Sequence, residues 1–342
     1  MWCSTRDACA NGRVAAGFVS FRRKVAAGFA LALAVPALAA GCSTASAGQA
    51  AAPEKTNITV DVYPTIDFAG LYLAQLDGLF RKQGLNVRIV FAPTSQLAVS
   101  SVLSGTSDIA GSDYVTYIDN ELNNNARLRI AAEASSLQEH TLELLAGPHS
   151  RTSSLAGLKG HTVAVTSSDD IDTLLVRALL AENDISARSV NIAFGFPLLN
   201  IAQQLNAGQA TAAAVPEPFA TEGEQKYGLQ ELADVDQGVT TDFPLEGYAV
   251  TQAWAEKYPR TLAAFDRALE QGQQTADTDR TAFDGAVDKY LGLKPVTAAV
   301  VNPPDYPLSV APTQLQRVVD TMVQFGMLPQ NDASFKITTM TG

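Results

Sequence analysis

The chain has 342 residues, of which 46% are hydrophobic and 17% are charged. This length is enough for two lobes with a sizeable core. The 24 basic and 35 acidic residues give a net charge of −11, which argues against a nucleic-acid-binding protein, because such proteins carry a basic surface. The 3 cysteines are too few for a disulfide framework, and no CxxC or HExxH spacing indicates a metal site. We therefore expect neither a metal nor a cofactor.

The N-terminal segment has the pattern of a secretory signal. Basic residues precede an apolar stretch at residues 25–40, which is shorter than the roughly 20 residues of a membrane-spanning helix. Small residues then lead to Cys42, which resembles a bacterial lipoprotein signal, although Leu38 stands one position earlier than is usual. The resemblance implies that residues 1–41 are a signal peptide and that Cys42 is lipidated. An ordinary signal peptide remains an alternative, and Arg22-Arg23 leaves export by the twin-arginine route open.

Processing at this site would change both the charge and the cysteine content. Removing residues 1–41 takes away five basic residues and one acid, so the net charge becomes −15. Cys42 is then the only cysteine left. Residues 42–56 are mostly small and polar without periodicity, which predicts a flexible tether.

Strand and helix patterns alternate from residue 57 onwards. β-Branched residues alternate at residues 58–63, which predicts a strand, and apolar spacing over residues 68–82 predicts a helix that ends before Gly84. Further predicted strands lie at residues 86–91, 108–110 and 128–132. Residues 93–95 lead into a predicted helix that ends at Ser104, and Ser112 and Asp113 are the predicted caps of another that ends near Leu122. Repeated units of this length indicate a parallel sheet that is covered by helices.

The same alternation restarts near residue 155. Strands are predicted at residues 162–165, 189–193 and 210–215, and helices at 171–183, 197–206 and 218–227. The polar residues 166–170, which end in Asp170, are the predicted cap of the helix at 171–183. Residues 141–146 and 246–251 are strand-like and flank this second unit, which predicts two crossover strands between lobes. Residues 254–325 are mostly helical. The predicted class is α/β, with two lobes that each contain a mainly parallel sheet with helices on both faces, joined by a two-strand hinge.

Five motifs resemble one family of binding proteins and occur in the order that the family has. They are DFAGLYLAQLDGLFRKQGLNVRIVFAP (67–93), SGTSDI (104–109), LAGLKGHTVAV (155–165), LNAGQA (205–210) and PEP (216–218). The family is the nitrate, sulfonate, taurine and thiamine-precursor group of ABC-transporter solute-binding proteins, also called thiamine pyrimidine synthase-like. The resemblance covers residues 57–330, with a departure at Tyr63, where many members carry Trp.

The resemblance implies a two-lobed, type II periplasmic-binding-protein-like fold with the ligand between the lobes. Lobe 1 would comprise residues 57–143 and 247–342, and lobe 2 residues 144–246. The protein would be a monomer that is anchored by its lipid to the outer face of the cytoplasmic membrane. There it would capture a small molecule and deliver it to an ABC permease with a cytoplasmic ATPase.

Candidate ligand-binding residues lie in the loops that follow the predicted strands. Ligands of open α/β sheets bind beyond the C-terminal strand ends, where helix N-termini offer free N–H groups. The same residue types also cap helices, so capping alone is the alternative interpretation. The candidates are Tyr63, Asp67, Phe68, Thr94, Ser95, Ser112, Asp113, Thr166, Ser167, Ser168, Asp169, Phe196, Glu217 and Phe219.

The charges in these loops favour a ligand with hydrogen-bond donors. The loops contain five acids and no Lys or Arg, and carboxylates repel a sulfonate or a nitrate. Aromatic residues near the same loops could stack on a ring: Tyr63, Phe68, Phe194, Phe196 and Phe219. This combination favours an aminopyrimidine like a thiamine precursor, or another nitrogenous ring. Residues 166–168 begin a helix with hydroxyls, so a sulfonate, nitrate or taurine-type anion remains the second candidate.

Two other functions remain open. Eukaryotic relatives within the family that the five motifs resemble make the thiamine pyrimidine. That chemistry uses a histidine of the protein itself and a Cys-rich stretch that binds iron. Here residues 242–251 contain no Cys, the helix after Asp113 contains no His, and the chain has no GxSxG or P-loop, so we expect no enzyme activity. His140, His149 and His161 follow no metal spacing and are interpreted as surface residues. A signalling lipoprotein is the third possibility, because a fold does not determine a function.

Overall fold

The computed structural model describes residues 52–340. The predicted signal peptide, the lipidation site at Cys42 and tether residues 42–51 lie outside the described residues. The strands are β1 (Asn57–Val62), β2 (Asn86–Phe91), β3 (Ile109–Asp113), β4 (Leu128–Ser136), β5 (Leu142–Ala146), β6 (Thr162–Ala164), β7 (Asn191–Ala193), β8 (Ala212–Pro216), β9 (Gln230–Asp234) and β10 (Pro244–Thr251).

The α-helices pack around these strands. They are α1 (Ala69–Leu76), α2 (Leu79–Lys82), α3 (Ser95–Leu103), α4 (Tyr114–Asn123), α5 (Ile171–Glu182), α6 (Leu198–Asn206), α7 (Phe219–Tyr227), α8 (Gln252–Lys257), α9 (Pro259–Thr278), α10 (Arg280–Leu291), α11 (Pro295–Ala298) and α12 (Pro312–Gln324). Within residues 52–340, none of the helices is both long enough and apolar enough to cross a membrane.

The strands form two sheets of five with the same topology. The first sheet has the order β2-β1-β3-β10-β4, and the second has the order β7-β6-β8-β5-β9. In each sheet the first three strands are parallel, as the repeated strand–helix units predict. The fourth strand in each order is antiparallel to both of its neighbours. The predicted α/β class with two sheets is confirmed, and each sheet is mixed because its fourth strand, β10 or β5, runs antiparallel to the others.

Two segments carry the chain between the sheets. Residues 137–141 connect β4 to β5, and residues 235–243 connect β9 to β10; we call them the crossover segments. β5 therefore joins the second sheet directly after the first crossover segment, and β10 joins the first sheet directly after the second. The lobe boundaries given above stay a prediction.

The predicted helix over residues 68–82 is divided in the structure. α1 ends at Leu76, and α2 begins at Leu79 after Gly78, whose φ of 65° lies in the left-handed region. A residue with this φ cannot continue a right-handed helix, and glycine adopts it at the lowest cost. The break changes the direction of the chain between α1 and α2, and both helices still pack against α9.

Helices from the C-terminal half cover the first sheet. α1 and α9 pack so closely that a Cβ atom at Gly272 would collide with the carbonyl oxygen of Gly70. Nearby, the ring of Tyr72 stacks on that of Tyr290 with centroids 4.7 Å apart. The C-terminal helices therefore hold the first strand–helix unit in place, and this unit leads into one wall of the site described next.

Candidate functional site

A cavity of about 150 Å³ lies between the two sheets, where strands of both sheets end. The first sheet contributes polar residues from the loops after β1, β2 and β3 and from the start of β10: Tyr63, Thr65, Asp67, Thr94, Ser95, Gln96, Asp113, Thr116 and Glu246. The second sheet contributes polar residues mainly from the loop between β6 and α5: Thr166, Ser167, Asp169, Asp170 and Asp172. We call this space the acidic cavity, because six of these side chains are carboxyl groups.

The structure brings together many of the residues that the sequence analysis proposed. The candidates that line the acidic cavity are Tyr63, Asp67, Thr94, Ser95, Asp113, Thr166, Ser167 and Asp169. They come from loops that are far apart in sequence, and strand pairing places these loops at one edge. Ligand contact by any of them stays a prediction.

Three of the other candidates are buried outside the acidic cavity. Phe68 packs its ring edge against Tyr248 in the core of the first sheet, with centroids 5.6 Å apart. Ser112 is completely buried within β3. Glu217 directly follows β8 and is also buried, but its carboxylate accepts hydrogen bonds from Thr221 and from the backbone N–H of Asn302. These three side chains therefore do not line the acidic cavity, and the alternative of a structural role describes their positions in this structure.

The remaining three candidates lie nearer the surface. Ser168 lines a separate, neighbouring cavity with Asp169. Phe219 lines an apolar groove with Phe91 and Tyr290, and Phe196 is half-buried against core residues. Of the aromatic residues considered for stacking, Tyr63 is the one that lines the acidic cavity.

Three acids of the acidic cavity are not among the candidates: Asp170, which is one of the five loop acids and a predicted helix cap, and Asp172 and Glu246, which the sequence analysis missed. Asp172 lies in the first turn of α5, two residues after the predicted cap at Asp170. Glu246 lies in β10 and pairs in register with Asp113 of β3. The position of Asp172 in a helix first turn was a usable signal, whereas nothing local in the sequence indicates that β10 would lie beside β3.

Hydrogen bonds fix the acids at the helix starts. Asp113 caps α4 and accepts hydrogen bonds from the backbone N–H and the hydroxyl of Thr116, at 2.8 and 2.7 Å. Asp170 caps α5 and accepts from the backbone N–H of Ser167 at 2.8 Å and from that of Thr173 at 3.2 Å. Such caps satisfy backbone N–H groups that have no partner within the helix. The carboxyl groups are therefore held in fixed positions before any ligand arrives.

The other acids have fewer partners. Asp67 accepts a hydrogen bond from the hydroxyl of Ser135 at 2.7 Å, and Asp172 accepts one from the hydroxyl of Thr166 at 3.0 Å. The Oε2 atom of Glu246 is buried and has no hydrogen-bond partner within residues 52–340. A buried polar atom without a partner is costly, so this oxygen is available to a donor group in the cavity.

Burial and mutual repulsion disfavour the charged forms of these acids. Burial raises the pKa of Asp113 to about 6 and that of Asp172 to about 7. Burial, followed by the charges of Asp172 and Asp113, raises the pKa of Asp170 well above its usual range. The pKa of Glu246 is also raised well above its usual range, by burial and then by the neighbouring acids. A cation in the acidic cavity would relieve this repulsion, because an opposite charge favours the ionised form.

The lining of the acidic cavity contains no Lys, Arg, His or Cys among residues 52–340. Any formal charge on this lining is therefore negative, and the available polar groups are carboxyls, hydroxyls, one phenol and the amide of Gln96. This arrangement suits a ligand that donates hydrogen bonds or carries positive charge. It contains no pairing of a nucleophile with a histidine base within that range.

Solved structures of binding proteins have the same fold. The alkanesulfonate-binding protein SsuA from Xanthomonas axonopodis pv. citri, bound to MOPS, is 17% identical, with a TM-score of 0.69 over 81% of this chain and 96% of that one. The periplasmic nitrate-binding protein NrtA from Synechocystis PCC 6803 is 14% identical, with a TM-score of 0.70 over 82% of this chain and 84% of that one. A Candida albicans protein described as having the generic periplasmic binding protein fold is 13% identical, with a TM-score of 0.69 over 83% and 97%.

At these identities the likeness establishes the fold and not the ligand. No curated protein matches the chain when sequences are compared. A family model does match, and it corresponds to the thiamine pyrimidine synthase-like group that the five sequence motifs resemble. The match to the NMT1/THI5-like model spans residues 65–279, which is more than half of the chain, and the protein therefore belongs to the NMT1/THI5-like family.

Proposed function

We propose that this protein is an extracytoplasmic solute-binding protein that captures a small, donor-rich or cationic nitrogenous ring and delivers it to an ABC importer. The importer role is supported by the fold, which sulfonate- and nitrate-binding proteins share. The observation that carries the choice of ligand is the set of six carboxyl groups around one cavity without a basic side chain in its described lining.

The electrostatics support a protonated or donor-rich ligand. Two unit charges 4 Å apart interact by roughly 4 kcal/mol at an effective dielectric constant of 20. A cationic ring would gain this attraction from the ionised acids, and it would also relieve the repulsion that, after burial, contributes to the raised pKa values of Asp170 and Asp172. A sulfonate would meet repulsion from those of the same groups that are ionised.

The size of the cavity supports a single ring. An engineered protein cavity of about 150 Å³ binds benzene, so a cavity of this volume accommodates one six-membered ring. The ring of Tyr63 forms part of the wall, and the hydroxyls of Thr94 and Ser95 lie at the start of α3. An aminopyrimidine with the shape of a thiamine precursor satisfies both the size and the donor requirement.

A sulfonate, nitrate or taurine-type anion is the second candidate. It is favoured by the ligands of the structural neighbours and by the helix N-termini that meet the cavity at α3 and α5. The carboxyl groups beside those N-termini oppose it, so we place it second.

A thermal-shift experiment with three probes separates the two ligand classes. We expect 4-aminopyrimidine to raise the melting temperature and taurine and nitrate to leave it unchanged, because a ligand that binds only the folded state stabilises it, by about 2.7 kcal/mol at 100 times Kd. A rise with taurine or nitrate and none with the aminopyrimidine would contradict the choice of ligand. A set of small molecules with no effect at all would favour the signalling alternative.

The membrane location rests on the N-terminal segment. We propose that residues 1–41 are removed and that lipid on Cys42 anchors a monomer to the outer face of the cytoplasmic membrane, next to its permease. We expect Cys42→Ser to release the protein from the membrane fraction, whereas the serine substitution at Cys3, which lies within the proposed signal peptide, should leave it there. Retention of the Cys42→Ser protein in the membrane would contradict lipidation at this residue.

We also propose that the two lobes close around the ligand and that the protein performs no chemistry on it. The crossover segments connect the sheets on either side of the acidic cavity, as hinges do in proteins that close around a ligand. The pyrimidine-synthase alternative predicts that a bound substrate is consumed. Mass spectrometry of the released small molecule after prolonged incubation should recover it unchanged.

A further inference from the structure

A second group of ionisable side chains lies beside the crossover segments, apart from the acidic cavity. It consists of His140 at the end of the first crossover segment, Glu143 in β5 and Glu231 in β9. Leu142 lines the acidic cavity, and its neighbour Glu143 points to the opposite side, because successive side chains of a strand alternate. The group is therefore separate from the site of the proposed function.

The three side chains converge on one point. The Nδ1 atom of His140 lies 2.7 Å from Oε1 of Glu143 and 3.8 Å from Oε2 of Glu231. One nitrogen and one oxygen from each glutamate all lie within 4.8 Å of one another. These spacings need only small side-chain movements to match ligands that surround a single ion at about 2.0–2.2 Å each.

Glu143 provides an independent observation in favour of a cation site. The residue is only 5% exposed, and its second oxygen, Oε2, is buried without a hydrogen-bond partner within residues 52–340. The imidazole satisfies the first oxygen only. An unpaired oxygen on a buried carboxyl group is costly, and a cation at this point would pair it.

A bulge in the second sheet places the acids on one face. β5 and β9 shift register between Leu144 and Leu145, so that Glu143 pairs with Asp234 and Leu145 pairs with Glu231. In a regular strand, residues 231 and 234 would face opposite sides, because their separation is odd. The extra residue in β9 turns both towards Glu143, and bulges commonly redirect side chains in this way near functional sites.

The backbone around His140 is also fixed. Its N–H donates a hydrogen bond to Oδ2 of Asp234 at 2.8 Å, and its φ of 63° lies in the left-handed region. A non-glycine residue adopts this conformation at a cost, so the hydrogen bond and the packing hold it there. The imidazole is thus presented to the two glutamates by a preset turn.

We propose that His140, Glu143 and Glu231 form a binding site for one divalent transition-metal ion, with Zn²⁺ as the best match. One imidazole nitrogen and two carboxylate oxygens are ligands that Zn²⁺ accepts, and water can occupy the fourth position of a tetrahedral site. Asp234 and Glu224 add negative charge nearby, because both act on ionisable members of the group. Both ligands bind a metal ion in their deprotonated forms, so binding would release any proton that either of them carries.

The location gives the ion a structural role. His140 belongs to the first crossover segment, and Glu231 lies in the strand that leads into the second. An ion bound by both residues would link the end of the first crossover segment to the strand that precedes the second. This inference does not depend on the identity of the solute.

The test is a titration of the apo protein with Zn²⁺ alone, followed by calorimetry. We expect one Zn²⁺ per chain in the wild type, and an affinity weakened about tenfold or more in His140→Ala and Glu231→Gln, because each change removes a ligand. Both side chains are more than one-third exposed, so these variants should fold, which circular dichroism verifies.

Matched substitutions serve as controls. His149→Ala removes an exposed histidine, and Glu139→Gln removes an exposed acid beside the site; both should bind Zn²⁺ like the wild type. The chain has 3 histidines, so imidazole NMR signals report directly, and Zn²⁺ should move the signal of His140 alone. The proposal fails if the wild type does not bind Zn²⁺, or if His140→Ala and Glu231→Gln bind it as tightly as the controls do.

Discussion

The two sheets have the same strand order, yet the acids that follow their central strands have different surroundings. Asp113 ends β3 and lines the acidic cavity, whereas Glu217 follows β8 and is buried outside the lining. Each carboxylate accepts hydrogen bonds from a threonine hydroxyl and N–H in the following helix, Thr116 in α4 and Thr221 in α7. The topology therefore gives both acids the same local role.

What separates the two acids is a segment from elsewhere in the chain. The N–H of Asn302 donates to Oε1 of Glu217 at 3.0 Å, so the loop after α11 covers this carboxylate. Asp113 instead lines the acidic cavity and lies in register with Glu246 across the pairing of β3 with β10. Equivalent positions in the two sheets thus have different roles. Glu217 binds a loop from the C-terminal part of the chain, and Asp113 faces the cavity.

The largest expected effect concerns the acids that face the cavity, and it appears as a pH dependence of stability. Burial raises the pKa of Asp113 to about 6 and that of Asp172 to about 7, from a usual value of 3.8. The folded state then binds more protons than the unfolded state. The contribution of these two groups to the free energy of unfolding is therefore full below about pH 4 and is lost as the pH rises to about 7. We expect the free energy of unfolding in urea to fall by on the order of 3 kcal/mol per group over this range.

A neutral variant provides the control for this pH dependence. In Asp172→Asn, the free energy of unfolding should change less between pH 4.5 and pH 8 than in the wild type. The interpretation would be wrong if the wild type were more stable at pH 8 than at pH 4.5.

The next largest effect concerns the acid outside the cavity. Glu217→Ala leaves the hydroxyl and N–H of Thr221 and the N–H of Asn302 without their acceptor. Because a buried donor without a partner costs about 1–3 kcal/mol, we expect the free energy of unfolding to fall by at least that amount. Calorimetry should find the affinity for the solute unchanged, since Glu217 does not line the cavity. A tenfold weaker affinity in a folded variant would show that Glu217 does take part in binding.

The sequence predicts the features that depend on local chemistry. Alternating β-branched residues predict β1, and polar residues before apolar runs predict the caps at Asp113 and Asp170, which the structure confirms. The capped helix starts place most of the candidate loops correctly. These predictions succeed because strands, helices and caps depend on residues within a few positions of one another.

The sequence does not predict the features that depend on distant partners. Glu246 enters the cavity only because β10 crosses into the first sheet, and Glu217 leaves it only because the loop at Asn302 covers it. Phe68 fits a stacking residue in sequence, but it packs on Tyr248 of the same inserted strand. Each of these outcomes depends on which strands pair, which a local pattern does not specify.

A smaller effect is expected for solute binding when Asp113, the acid that faces the cavity, is changed. Asp113→Asn keeps an oxygen that can accept the N–H of Thr116 but removes the negative charge. We expect about tenfold weaker binding of an aminopyrimidine, which corresponds to about 1.4 kcal/mol, without a loss of stability at pH 8. Asp279→Asn is the matched control, because Asp279 caps α10 through the N–H of Ala282 and does not line the cavity. If Asp113→Asn and Asp279→Asn bind the aminopyrimidine with equal affinity, Asp113 does not contribute to binding.

The smallest effect distinguishes capping from binding at one hydroxyl. Thr94 caps α3 and lines the cavity, whereas Thr251 caps α8 outside it; each hydroxyl oxygen accepts a backbone N–H at 3.2 Å. Because the loss of a threonine cap costs about 1 kcal/mol, Thr94→Ala and Thr251→Ala should lower the free energy of unfolding by similar amounts. Only Thr94→Ala should also weaken solute binding, measured by calorimetry at the same temperature. If both variants bind the solute like the wild type, the hydroxyl of Thr94 serves the helix alone, and the contribution of the first sheet to binding reduces to its acids and Tyr63.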